Sequence, residues 1–170
     1  IITIFIISDS LINFFFGKNI LGFEIIDSRI SSIFGKDLVL GSFLLRLLPF
    51  FLFFIMYFEL DKINDGKKYI IIFLSLYLIS IYISGSRTSF ILVLLFLFMI
   101  FFFIKEIKDI ILKAFIVLSF FIVLTSIFDL GKSNTFNRMF VKTFNQITGE
   151  YYSDIMNSEQ YRSEQYSFNK

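Results

Sequence analysis

The feature that most constrains this chain is a series of long apolar windows without charge. Residues 69–86 and 89–104 contain no charged side chain. A helix needs about 20 mostly apolar residues to cross a bilayer, so one helix through both windows would be far too long. The sequence Gly-Ser-Arg-Thr at 85–88 is therefore predicted to separate two spans.

Three further windows follow the same pattern. Residues 38–58 and 110–128 are each long enough to span the membrane. Residues 1–16 are apolar but carry several polar side chains, which predicts a partial span that leaves the membrane near Asp9. Because the chain opens on Ile1, we expect it to belong to a longer protein. The predicted spans are 1–16 (partial), 38–58, 69–84, 89–104 and 110–128.

The fold class follows from these windows and from composition. Hydrophobic residues make up 56% of the chain and charged residues 18%, against about 25% charged in soluble domains. A soluble all-α protein needs amphipathic helices, whereas these windows are apolar on every side. The predicted fold is all-α, a multi-span transmembrane helical bundle of about four full spans and a partial N-terminal one, within a larger polytopic protein.

Composition also excludes several kinds of chemistry. The sequence has no Cys and no His, so it supplies neither disulfides nor the usual zinc, haem, thiol or imidazole groups. No metal and no cofactor are expected. The net charge of +2 gives no indication of a nucleic-acid partner, and the expected partner by composition is the lipid bilayer.

The connections between the spans are predicted to lie alternately on the two sides of the membrane. Polar segments 59–68 and 105–109 share one side, and the other holds 17–37, the Gly85 turn and the tail from 129. Counting Lys and Arg does not orient the chain. However, the first side uses only Lys, the ordinary cytoplasmic signal, which predicts that the second side is external. Every arginine falls on that second side or in its half of a span: 29, 46, 87, 138 and 162.

Arg46 lies eight positions into an apolar span, about 12 Å along its axis. A charge at such depth costs at least about 2.5 kcal/mol, so it marks a functional site by default. The alternative is that its long side chain snorkels to the interface. Pro49, three residues later, is expected to leave a backbone carbonyl free nearby.

The sequence Ser-Gly-Ser-Arg-Thr-Ser at 84–89 is a second candidate. Gly85 is suited to a left-handed helix end, and Ser86 or Thr88 to the start of the next helix. The new helix then presents N–H groups and a positive dipole end beside Arg87, an arrangement that favours an anion. The alternative is a tight turn in which Arg87 only marks the interface.

The third candidate is the glycine-containing segment 17–37, with Arg29 in its middle. Its acids, Glu24, Asp27 and Asp37, either neutralise Arg29 and Lys36, or Asp37 acts as a base or orients an arginine. Arg29, Arg46 and Arg87 together predict a lipid-linked phosphate or diphosphate ligand, since arginine binds phosphate in a bidentate manner.

In the tail, residues 129–170, the long apolar windows end and polar residues become frequent. Five apolar residues share one helical face, which predicts a basic amphipathic helix that either lies on the membrane surface or packs on the rest of the protein. After Gly149 the sequence turns polar and is expected to begin an external loop. The face consists of Phe136, Met139, Phe140, Phe144 and Ile147.

Several of these segments resemble the O-antigen polymerase/ligase family. The matching residues are Gly-Lys-Asn-Ile-Leu-Gly at 17–22, the segment 29–42, Arg46 with Pro49, and Ser-Gly-Ser-Arg-Thr-Ser at 84–89. The last is similar to a Ser-Gly-Glu-Arg-Thr signature, with Ser86 in the place of the Glu, which weakens any role for an acid there. The resemblance covers about residues 8 to 104.

The resemblance implies a bacterial inner-membrane, multi-pass, inverting and metal-independent glycosyltransferase of lipopolysaccharide and polysaccharide biosynthesis. The donor would be an undecaprenyl-diphosphate-linked glycan on the periplasmic face. The acceptor would be a second lipid-linked repeat for a polymerase or lipid A–core for a ligase. A polysaccharide chain-length regulator is an implied partner.

By position, the resemblance implies that Arg46 and Arg87 are catalytic, and that Arg29, Ser86 and Thr88 bind substrate together with them. Ligases of the family also use a His in a large periplasmic loop. This chain has none, so either that loop lies elsewhere or the chain is a polymerase. Two other classes remain open: a transporter or flippase for an anionic, lipid-linked or small substrate, and a non-catalytic membrane subunit.

Overall fold

The computed structural model describes residues 2–26, 29–57, 66–105, 107–128 and 135–148. Over these ranges the chain is all-α and contains no β-strand beyond two isolated bridges. A single 3-10 turn, Ser32–Phe34, interrupts the long connection after the first helix. The helices are α1 Ile2–Phe16, α2 Leu40–Tyr57, α3 Gly66–Ile83, α4 Arg87–Phe103, α5 Lys108–Phe128 and α6 Lys142–Thr148.

The protein is a transmembrane helical bundle. Helices α2, α3 and α5 have 18, 18 and 21 residues and are long and apolar enough to cross a membrane. Helices α1 and α4 are equally apolar but shorter. The helices begin and end within three residues of the predicted windows, because charged, polar or glycine residues interrupt the apolar runs there.

Helix α3 is the centre of the bundle. Ten of its 18 residues are buried, whereas α5 buries five of 21. Helices α1, α2 and α5 all pack against it. This burial explains why α3 is apolar all round: most of its surface meets other helices.

Aromatic rings fill the space around α3. The Phe51 ring of α2 lies 4.4 Å from that of Phe73 and 6.2 Å from that of Tyr77, between ring centroids. Nearer the end of α3, the Tyr82 ring lies 6.2 Å from that of Phe121 on α5. The Tyr82 hydroxyl is also 3.1 Å from the Thr125 hydroxyl, so α3 and α5 share a buried polar contact.

Many other phenylalanines face outward, as expected for side chains that contact lipid tails. Because lipid is as apolar as a protein core, such exposure carries no penalty in a bilayer. Those at least half exposed on α1, α2, α4 and α5 include Phe15, Phe16, Phe50, Phe53, Phe98, Phe102, Phe103, Phe120 and Phe128.

Pro49 lies inside α2, and the helix continues through it. Proline has no N–H, so the Leu45 carbonyl one turn earlier loses its usual helical donor. In the same turn, the buried Tyr77 hydroxyl of α3 donates a hydrogen bond to the Leu44 carbonyl. Helix α3 therefore contacts the backbone of α2 in the turn before Pro49.

The long connection after α1, the turn between α3 and α4, and the end of α5 lie at one end of the bundle. Phe14 of α1 contacts Phe121 of α5, with ring centroids 5.9 Å apart, and Ser10 of α1 contacts Ser80 of α3. Helices α1, α3 and α5 therefore run in the same direction. The alternation of sides predicted from the sequence holds for these helices.

Phe136–Lys170 forms a second compact unit, of which residues 136–148 are described. A single wide turn, Asn137–Val141, with π-type hydrogen bonding leads into α6. Residues 135–148 are thus helical where the sequence predicts an amphipathic helix. The predicted external loop after Gly149 lies outside the described residues.

Replacing Tyr77 with Phe should destabilise the bundle by about 1 kcal/mol, because the Leu44 carbonyl then loses a buried hydrogen bond. Tyr69→Phe on the same helix is the matched control, since Tyr69 is 71% exposed and should change nothing. Unfolding of the purified chain in mixed micelles by SDS titration measures both. Equal stability of Tyr77→Phe and the parent would contradict a stabilising role of this contact.

Candidate functional site

The turn between α3 and α4 has the predicted backbone. Gly85 has φ 68 and donates its N–H to the Tyr82 carbonyl at 3.1 Å, which ends α3 in a left-handed conformation. Ser86 is the N-cap residue, with φ −88 and ψ 98, and α4 begins at Arg87. The Ser86 hydroxyl makes no capping bond but lies 2.9 Å from the Ser89 hydroxyl. Thr88 is exposed.

Gly41, in the first turn of α2, packs directly on this turn. A Cβ at Gly41 would lie 2.6 Å from the Ser84 Oγ and 2.8 Å from the Ser86 Cβ. Only a residue without a side chain allows the two backbones to approach so closely. The start of α2 and the start of α4 are therefore held side by side.

Arg29 reaches the same part of α2 from the long connection. One terminal nitrogen of its guanidinium donates to the Leu38 carbonyl at 3.2 Å. Glu24, one of the acids that flank Arg29 in the sequence, pairs with Lys18 at 2.9 Å. Asp37 is exposed, and Asp27 lies outside the described residues.

These contacts bring Arg29 and the turn that carries Arg87 to one short segment, residues 38–41. Arg29 binds its first carbonyl, and the turn packs on Gly41 through Ser84 and Ser86. Two arginine-bearing elements thus meet at the end of the bundle where helix α4 presents its N-terminus, a position that favours negative charge.

Arg46 is placed differently. It lies six residues after Leu40, about 9 Å along α2, and five residues beyond Gly41, which turns it about 140° away from that contact. Its side chain is exposed, on the outer face with Pro49, Phe50 and Phe53. A side chain of this length on a lipid-facing surface extends along the helix toward the interface.

The structure reveals a polar centre that the sequence reasoning missed. Asp9 is fully buried, and its helix continues to Phe16, so Asp9 lies inside α1 and within the bundle rather than at a helix end. Its carboxylate accepts hydrogen bonds from the Ser32 hydroxyl at 2.5 Å and from the Ile20 N–H at 2.9 Å. Both donors belong to the long connection after α1.

Asn19 completes this network. Its side-chain nitrogen donates to the Ser32 carbonyl at 2.7 Å and to Asp9 at 3.4 Å. Its side-chain oxygen accepts the Phe23 N–H at 2.7 Å. Ser32 is fully buried with φ 54, a conformation unusual for a residue with a side chain. The connection that carries Arg29 is therefore fastened to α1 by buried hydrogen bonds.

A polar stripe continues along α1 toward its end. The Ser10 hydroxyl lies 3.2 Å from that of Ser80 on α3. Asn13, one turn beyond Asp9, is fully buried, and neither end of its amide has a hydrogen-bond partner among the described residues. Buried polar groups almost always have partners, so Asn13 is a candidate for contact with a small polar group.

A signal for this centre exists in the sequence. Asp9, Ser10 and Asn13 recur at the spacing of one helical face within an apolar helix, as do Ser80 and Ser84 in α3. Polar residues inside membrane helices usually face the bundle interior. The same polar residues also fit a span that leaves the membrane near Asp9, and only the partner helix distinguishes the two.

The outer surface of α4 contains an apolar groove of about 360 Å³. Its lining residues follow Arg87 at the spacing of one helical face, so the groove and the arginine lie on the same side of α4. It extends to Phe98, eleven residues from Arg87, about 16 Å along the axis. The lining residues are Ile91, Leu94, Leu95 and Phe98.

The described residues contain no group of acidic, His or Cys side chains that could hold a metal ion. A comparison with protein-family models, curated proteins and solved structures finds no match to this chain. The resemblance of its motifs to the O-antigen polymerase/ligase family therefore stays a prediction.

Replacing Asp9 with Ala should release the long connection from α1, because the Ser32 hydroxyl, the Ile20 N–H and the Asn19 amide lose their common acceptor, at a cost of about 1–3 kcal/mol. Trypsin should then cleave faster after Lys18 and Arg29. Asp37→Ala removes an exposed carboxylate of the same connection and is the control. Equal cleavage rates in the two variants would refute the fastening role.

Replacing Gly41 with Ala should destabilise the bundle by about 1–3 kcal/mol through overpacking against Ser84 and Ser86. Ser42→Ala, one residue away, adds no atoms and serves as the control. SDS titration of the purified variants measures the difference. If Gly41→Ala unfolds like Ser42→Ala, the close approach of α2 to the turn is incorrect.

Proposed function

We propose that this protein is a membrane glycosyltransferase of the O-antigen polymerase/ligase type. It transfers or polymerises glycan from an undecaprenyl-diphosphate donor at the periplasmic face of a bacterial inner membrane. The observation that carries the proposal is the meeting of Arg29 and the Arg87 turn at residues 38–41, at one end of the bundle.

The chemistry of this end suits a diphosphate. A guanidinium binds phosphate oxygens with paired, charge-assisted hydrogen bonds. Arg87 is the first residue of α4, where the helix dipole adds positive potential. Arg29 and Arg87 are assigned to the two phosphates, with Ser86 and Thr88 as further hydrogen-bond donors. Arg46 is assigned as a third cation that reaches the headgroup along the outer face of α2.

The groove on α4 accounts for the lipid part of the donor. It is lined only by apolar side chains and lies on the helix face of Arg87. Its far end at Phe98 lies about 16 Å along the axis from Arg87, close to the depth of one leaflet, half of a hydrocarbon core about 30 Å thick. A polyprenyl chain along this groove leaves its diphosphate beside Arg87 and its glycan outside the membrane.

The arginines would act on the leaving group. In the proposed reaction an acceptor hydroxyl attacks the anomeric carbon from the side opposite the diphosphate. The new C–O bond forms as the bond to phosphate oxygen breaks, and undecaprenyl diphosphate departs with the electron pair. The hydroxyl proton passes to a base, for which Asp37 is the exposed candidate in the long connection. Fixed cations that meet the growing phosphate charge lower the barrier.

A second function, transport of an anionic or lipid-linked substrate, is favoured by a different observation. Asp9 is buried in the bundle with no ion pair among the described residues, and Asn13 beside it has an unsatisfied amide. Buried polar groups of this kind line ion and substrate pathways in transporters. Transport predicts that Asp9→Asn impairs function as strongly as loss of an arginine.

Replacing Arg87 with Ala in the full-length protein should reduce glycan transfer about 100-fold or more, the usual cost of removing a group that stabilises transition-state charge. Long chains should disappear from a glycan gel while the protein still inserts into the membrane. Lys105→Ala, a cation at the other end of α4, is the matched control. A normal ladder from Arg87→Ala would reject the assignment.

A further inference from the structure

A group of buried oxygen atoms lies where α1 meets α3. Asn13 follows Ser10 by three residues and Asp9 by four, so its side chain is a neighbour of both on the helix. All three residues are fully buried. Ser80 of α3, also fully buried, faces Ser10 with 3.2 Å between the two hydroxyl oxygens. Four oxygen-bearing side chains are therefore close together in the interior of the bundle.

The hydroxyl protons of the two serines are already used. The Ser10 hydroxyl donates to the Ile7 carbonyl at 2.7 Å, and the Ser80 hydroxyl donates to the Leu76 carbonyl at 2.9 Å. A hydroxyl has one proton and two acceptor lone pairs, and both of these bonds are shorter than the 3.2 Å between the serines. The two oxygens thus face each other with lone pairs, which a positive partner between them stabilises.

Asn13 adds an oxygen without a donor. The side-chain oxygen and nitrogen of this residue are both buried and have no hydrogen-bond partner among the described residues. A buried amide left unpaired is unfavourable, and native proteins rarely contain one. The amide therefore indicates a bound partner at this point of α1.

Asp9 supplies a full negative charge beside these oxygens. Its carboxylate accepts hydrogen bonds from Ser32, Asn19 and Ile20. Because a carboxylate has about four acceptor sites, one remains open. No Lys or Arg in the described part of the chain lies within ion-pair distance of Asp9. Since a buried charge is costly without a counter-charge, the partner of this centre is expected to be a cation.

The charge and spacing of the oxygens favour a small monovalent cation. One carboxylate balances one positive charge, whereas sites for zinc or calcium use several acidic, His or Cys side chains. A sodium ion is close in size to a calcium ion, whose oxygen ligands lie at about 2.3–2.6 Å and hence about 3.3–3.7 Å from one another when adjacent. The separation of 3.2 Å between the Ser10 and Ser80 oxygens is close to that spacing.

We propose that Asp9, Ser10, Asn13 and Ser80 bind a sodium ion inside the bundle, with water completing its coordination and accepting the Asn13 N–H. The ion neutralises Asp9 and joins α1 to α3, next to the hydrogen bonds that hold the connection after α1. The proposal is independent of glycan transfer and of transport, because a bound ion stabilises the bundle in either case.

Two buried serines of α3 provide a matched test. Ser75 and Ser80 each donate a hydrogen bond to the carbonyl four residues earlier, at 2.7 and 2.9 Å, so replacement by Ala removes the same kind of bond from each. Ser75 lies five residues before Ser80 and therefore points about 140° away from it around the helix. Only Ser80→Ala removes a proposed ligand.

Sodium binding is measured on the full 170-residue chain in dodecylmaltoside micelles. Equilibrium dialysis with radioactive sodium is carried out at constant ionic strength, which choline chloride maintains. Ser80→Ala should weaken sodium binding about tenfold or more, the usual effect of disturbing a metal site, and Ser75→Ala should leave it unchanged. Equal binding by the two variants would overturn the proposal.

A second variant, Asn13→Leu, separates binding from folding. It should abolish sodium binding, while its resistance to SDS in sodium-free buffer should match or exceed that of the parent, because no unpaired amide remains. Sodium binding by Asn13→Leu at the parental level would overturn the proposal, as would a parent that prefers calcium to sodium. A parent that binds no sodium and is stabilised by mild acid would mean that Asp9 takes up a proton instead, which also overturns it.

Discussion

The buried carboxylate of Asp9 is the interaction on which the candidate site depends. A single side chain inside the bundle accepts hydrogen bonds from three residues of the connection between α1 and α2. In a bilayer, irregular backbone is tolerated only where protein satisfies its polar groups. Asp9 and Asn19 do this for the Ile20 and Phe23 N–H groups and for Ser32, which hold the connection that carries Arg29 against α1.

The number, type and approximate bounds of the apolar helices follow from the sequence, because hydrophobic windows of membrane length have few alternative structures. The left-handed Gly85 and the start of α4 after Ser86 also follow, since a glycine between two such windows has one simple role. Each of these features is determined by residues that are neighbours in the chain.

The features that the sequence does not predict depend on contacts between residues that lie far apart in the chain. Asp9 resembled a helix end because its hydrogen-bond donors lie 11 and 23 residues away. Glu24 flanks Arg29 in the sequence but pairs with Lys18, which lies across an isolated bridge from it. The close approach of Gly41 to Ser84 joins residues from two helices, and no property of Gly41 alone indicates it.

Pro49 separates the first part of α2 from the rest of the helix. Residues 38–46 precede it and carry Arg46 on their outer face, the Leu38 carbonyl that binds Arg29, and the Gly41 surface on which the Arg87 turn rests. The first turns of α2 therefore contact both the connection that carries Arg29 and the turn that carries Arg87, and those two elements are held independently by α1 and by α3. A change of bend at Pro49 would thus alter how residues 50–57 lie relative to these contacts, while the contacts themselves stayed in place.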